Sequence, residues 1–221
     1  MLTPATGGKT SARRGLPALR RLCGDAAGVS AVEFALILPI MLTLWVGFAE
    51  MAHAVDNWRK VTLLARTVAD LTSQGDTADP IASATMSDIL AASTAVLRPF
   101  GAGTAKMVVS AMAVNTAASL VSPWVCSSVS SDNNASARPT GVARDLSIPP
   151  GFNVNGNRYV MAEVTMPYAP MLGTTLVRLV SGVGNSIPLN ASFVWPVRNG
   201  IVHKSINATP EVTMPGGAAC P

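Results

Sequence analysis

Residues Val29 to Ala49 read VSAVEFALILPIMLTLWVGFA, twenty-one positions with one ionisable side chain, Glu33. At about 1.5 Å per residue, a helix of this length covers roughly 30 Å, the hydrocarbon thickness of a bilayer. The stretch is long enough to span a membrane. Two other kinds of segment have similar composition: a cleaved secretory signal and the buried helix of a soluble core. A secretory signal has a shorter apolar core closed by a small-residue cleavage site, whereas here EMAHAVDNWRKV (Glu50 to Val61) continues with helical composition. The expectation is a transmembrane helix over residues 29–52.

Immediately upstream, Lys9, Arg13, Arg14, Arg20 and Arg21 stand against Asp25, so residues 1–28 carry the whole formal net charge of +4. After Gly28 there are eleven Lys or Arg and eleven Asp or Glu, which cancel. The first charges beyond the span, Glu50, Asp56, Arg59 and Lys60, are of mixed sign. The positive-inside rule therefore keeps the 1–28 leader in the cytoplasm and exports everything after the span. The neutral body offers no basic stripe for a phosphate backbone, which argues against nucleic acid as a partner. With 49% hydrophobic and 13% charged residues the chain is too apolar for a disordered protein or a coiled coil. Its 18 Gly and 16 Pro follow no period, which excludes collagen and a proline-rich linker.

Downstream of the span, Trp58, Val61, Leu64, Ala65, Val68 and Leu71 recur at spacings of three and four, an amphipathic continuation of the same helix over residues 53–75. Gly75 to Pro80 has turn composition. A second helix is predicted from about Ser87 to Arg98, with Thr85 and Asp88 as its capping pair and Pro99 as its stop. The period then changes. Lys106 to Val114, Arg158 to Met166 and Ile187 to Val197 read as strands, the last alternating strictly through Ile187, Leu189, Ala191, Phe193, Trp195 and Val197. Ser127 to Gly151, rich in Ser, Asn and Pro, reads as a long surface loop, and Leu172 to Val183 fits a short helix. Helices followed by separated strands imply an α+β fold with an antiparallel sheet in the exported region, residues 76–221.

Cysteine usage fits the same topology: Cys23 lies in the leader, and Cys126 and Cys220 in the exported part, where an oxidising compartment permits a disulfide. The expectation is a Cys126–Cys220 disulfide, the alternative being two free thiols. No CxxC or Cys/His cluster suggests a metal, and no cofactor motif occurs. GxSxG, HExxH and GxxxxGK[ST] are absent, and the only histidines, His53 and His203, have no local signature. Asp132, Asp145, Glu163 and Glu211 are scattered, with Glu163 on the polar face of a strand as a solvated acid. No catalytic residue is assigned, and the expectation is a non-enzymatic protein. Glu33 is the informative side chain. A carboxylate within a span costs about 2.5–3.5 kcal/mol on insertion scales, so it faces a partner unless it snorkels to the nearby cytoplasmic interface.

Around it the sequence runs Gly28-Val29-Ser30-Ala31-Val32-Glu33-Phe34-Ala35-Leu36, then Pro39, behind a basic leader. This resembles the processing site of type IV prepilins. With Glu50 near the far end of the span, it is more narrowly similar to the TadE/TadG-like family, minor pilins or pseudopilins of the tight adherence (Tad/Flp) pilus machinery. The length here lacks room for the extra adhesive domain of some TadG-like members, so the TadE branch is implied. The resemblance implies a pilin-like fold, cleavage by a prepilin peptidase between Gly28 and Val29, Glu33 and Phe34 as assembly contacts and Pro39 as a helix kink. It also implies pilin subunits and pilus assembly components as partners, in a bacterial inner membrane. Two rivals stand beside it: an uncleaved membrane-anchored scaffold of the same machinery, and an exported binding or hydrolytic domain sharing only the anchor.

Overall fold

The computed structural model describes residues 26–101, 104–115, 122–131, 134–170, 186–203 and 209–221. The leader and the 172–183 segment read as a helix lie outside the described residues, apart from Ala26 to Gly28. Contacts divide the chain into two compact units, Met1–Ala49 and Glu50–Pro221.

Helix α1, Ala26–Ser73, is one continuous helix of 48 residues. In the first unit its apolar side chains are exposed: Val32, Phe34, Leu36, Ile40 and Trp45 are each more than 60% accessible. Pro39 sits inside the helix without breaking it, and Thr43 Oγ1 donates to the Pro39 carbonyl at 2.7 Å. Thr62 and Thr67 likewise donate to carbonyls four residues earlier, which satisfies hydroxyls that would otherwise compete with the helix.

Within the second unit α1 buries one face through Asn57, Val61, Leu64, Ala65, Val68, Ala69 and Thr72. Trp58, expected on that face, is 54% exposed. It lies about 100° around the helix from Asn57, which takes the buried position and donates Nδ2 to the His53 carbonyl.

The second helix, α2 (Ser83–Ser93), starts four residues before the expected position and passes into a 3₁₀ turn over Thr94–Leu97. Thr85 and Asp88 do not cap it; its N-cap is Ala82, which makes no side-chain cap bond. The acceptor comes from the preceding turn, where Asp76 takes N–H bonds from Thr77 at 2.7 Å and from Ala82 at 3.4 Å. Hydrogen bonds from the Thr85 side chain and then the Thr77 backbone hold the Asp76 carboxyl below the usual carboxylate range. Gly75 makes that turn possible: its φ is 69°, and a Cβ there would lie 2.7 Å from the Asn199 carbonyl oxygen.

Five strands form one antiparallel sheet: β1 (Lys106–Asn115), β2 (Ser122–Ser130), β3 (Gly141–Val142), β4 (Arg158–Tyr168) and β5 (Ile187–Pro196), in the order β3-β2-β1-β4-β5. The α+β class with an antiparallel sheet is thus observed. The surface loop expected from Ser127 to Gly151 is corrected at its start and in its interior, because Ser127 to Ser130 complete β2 and Gly141–Val142 pair with Val125 and Trp124. Serine-rich composition read as loop, yet these hydroxyls are satisfied inside the sheet. Ser110 and Ser128 Oγ are hydrogen-bonded at 2.9 Å, and Ser127 Oγ accepts from the Met214 N–H.

Both sheet faces are covered. Val109, Ala111, Val160, Ala162 and Val164 share a core with Val61, Leu64 and Val68 of α1 and with Val212 and Met214 of the C-terminal tail. Met112, Val125, Tyr159 and Met161 form a second cluster under Leu146, Ile148 and Phe152. Burial alone pushes the Tyr159 phenol up to about 12. Edge strand β5 is tied to α1 by aromatic–guanidinium stacking: Arg66 lies over Trp195 at 5.4 Å, Arg198 over the same ring at 5.0 Å, and Arg198 pairs with Asp70 at 2.7 Å.

Candidate functional site

The head of α1 carries the residues singled out by pattern. Gly28, Val29, Glu33, Phe34 and Pro39 all fall on this one helix, and Val29 and Phe34 are 57% and 65% exposed. Glu33 is exposed and makes no hydrogen bond or ion pair with another described residue. Val29 and Glu33 are four residues apart, about one turn and 6 Å of rise, so they share a helix face. A Cβ on Gly28 would meet nothing within 4 Å. Packing among the described residues therefore does not require glycine at this position.

At the start of the second unit, Glu50 meets the end of β4. The Tyr168 hydroxyl donates toward its Oε2 at 3.2 Å. Burial first, and then the carboxylate, raise the Tyr168 phenol above its ordinary value. No sequence signal pairs these positions, which are 118 residues apart.

Cys126 in β2 and Cys220 in the tail are joined by a disulfide, with Cα atoms 4.8 Å apart. Next to it is a buried ion pair absent from the sequence reading. Arg158 Nε lies 3.0 Å from Glu211 Oε2, with side chains only 5% and 2% exposed. The Cys220 N–H donates to both Glu211 oxygens at 3.2 and 3.3 Å, so the disulfide and the ion pair hold the same tail. Desolvation raises the Glu211 pKa, opposed by Arg158, and desolvation likewise lowers that of Arg158. Nearby, His203 pairs with Asp79 of the turn after α1.

Glu163 is not the isolated solvated acid expected. Arg138 forks onto it through Nε and Nη2, the latter at 2.7 Å, and reaches Asp145 through Nη1 at 2.8 Å. The Arg138 side chain accordingly holds the Asp145 carboxyl below the usual range. These pairings brace the segment after β2 against β4. Among the described residues no three His, Cys, Asp or Glu side chains are grouped to hold a metal.

The chain thus combines one helix long and apolar enough to cross a membrane with a five-stranded α+β domain. Residues 28–70, all on α1, match the family described as TadE-like protein. No curated protein and no solved structure matches the chain.

Proposed function

We propose that this protein is a minor pilin-like component in the assembly of a Tad/Flp-type adhesive pilus, acting without enzymatic activity. The carrying observation is that the TadE-like match over residues 28–70 takes in the exposed apolar stretch Val29 to Ala49, whose one carboxylate, Glu33, lies near its head. That match supports a component associated with the Tad pilus machinery. The reading goes further: the helix sits in the inner membrane with the leader in the cytoplasm, and a prepilin peptidase cuts between Gly28 and Val29.

Cleavage would strip the leader's net charge of +4 and create a positive amine on Val29. Each of two charges that are costly alone in an apolar medium is then relieved by the other, when the Val29 amine of one subunit meets Glu33 of a neighbour. Phe34 adds apolar contact beside that pair. Pro39 removes one backbone donor and lets the helix bend where subunits pack.

N-terminal sequencing of the protein from the membrane fraction of piliated cells tests the reading. Val29 is the expected first residue. A chain that keeps Met1 would instead support the uncleaved scaffold.

A further inference from the structure

The chain contains Asn-Ala-Ser or Asn-Ala-Thr three times, at Asn134, Asn190 and Asn207. Asn-X-Ser/Thr is the acceptor pattern for N-linked glycosylation, with the hydroxyl two residues on as its recognition handle.

The structure separates these sites. Asn134 lies between β2 and β3, outside any strand, with Asn134 and Ser136 both exposed. Its φ of 55° makes it the one non-glycine residue in the left-handed region among the described residues. Such a residue stands at a turn, where the chain can present a single side chain to an enzyme. Asn190 is instead held in β5, opposite Thr165 of β4, and its backbone would have to leave the ladder to enter a transferase cleft. Asn207 lies outside the described residues. Beside Asn134 is an open groove of about 360 Å³ lined by Lys106, Ser136, Thr165 and the paired Arg138 and Glu163, a polar surface against which a first sugar fits.

We propose that Asn134 is the acceptor for an N-linked glycan transferred from a polyprenyl-pyrophosphate-linked oligosaccharide. The Asn134 amide nitrogen bonds to the anomeric carbon of the donor sugar as that carbon's bond to the pyrophosphate oxygen breaks. The bonding pair leaves with the polyprenyl pyrophosphate, and the amide proton passes to a base of the transferase. Nothing is oxidised or reduced. The inference rests on the outward topology proposed for the domain.

The test is to produce the full chain in a bacterial host supplied with a periplasmic oligosaccharyltransferase and its lipid-linked oligosaccharide, alongside an established acceptor protein. Peptide mapping of the folded protein should find the glycan mass on Asn134 and not on Asn190. Asn134→Gln and Ser136→Ala should abolish that modification, and Ser136→Thr should retain it. An unmodified Asn134 in a domain open to protease in spheroplasts, with the control acceptor glycosylated, overturns this inference alone. An unmodified Asn134 in a domain sealed from protease overturns the outward topology and the inference with it. Equal occupancy at Asn134 and Asn190 in the folded protein overturns the structural selectivity on which the assignment stands.

Discussion

Two glutamates set the extremes of this molecule at the scale of the residue. Glu33 is exposed on an apolar helix with no partner among the described residues, and Glu211 is buried against Arg158. A carboxylate in a membrane needs an opposite charge from elsewhere, so Glu33→Gln should leave insertion intact and reduce assembly. Membrane fractionation should recover normal amounts of the variant while the yield of sheared surface pili falls. Normal piliation of that strain would remove the intersubunit ion pair from the account. For Glu211 the partner is internal. Glu211→Gln strands the buried Arg158 guanidinium and should cost about 3–5 kcal/mol, read as a lowered denaturation midpoint. Arg158→Met combined with Glu211→Gln should recover part of that loss, because no buried charge is then unpaired and the Gln oxygen still accepts from the Cys220 N–H.

Among the elements, the C-terminal tail is the one whose place depends most on covalent closure. It contributes Val212 and Met214 to the core, and among its described residues it forms no strand beyond a bridge of Ile201 with Glu211. The Cys126–Cys220 disulfide closes a separation of 94 residues, which the chain-entropy picture values at roughly 4–5 kcal/mol. Reductant should therefore lower the thermal midpoint of the domain, and the reduced chain should migrate more slowly in denaturing electrophoresis than the unreduced one. Unchanged values on both counts would show that the tail is held by packing alone. Strand β2 shows why this arrangement was only partly legible. Its Ser127, Ser128 and Ser130 have the composition of a loop, and pairing with β1 overrides that preference. The start of α2 was missed for a related reason: its N-terminal acceptor, Asp76, comes from a residue outside the helix and six positions before Ala82.

At the scale of the whole chain, the asymmetry of charge about the span places everything after residue 52 outside the cytoplasm in the proposed topology. A periplasm-dependent reporter fused after Thr72 should be active, and activity of a cytoplasm-dependent reporter at the same position would reverse the orientation. The long helix and three of the strands could be read from sequence alone, because each is encoded by neighbours in the chain through hydrophobic length or alternation of period two, whereas the head of the helix was legible only by its resemblance to a known family. The Arg158–Glu211 pair, the Tyr168–Glu50 contact and the Arg138 fork could not. Their members are separated by 53, 118 and up to 25 residues, and a single charged or phenolic side chain looks the same in sequence whether it will meet water or a partner. Local pattern determined which segments become helix and strand; only the tertiary structure, by bringing distant chain together and excluding water, decided which polar groups had to find one another.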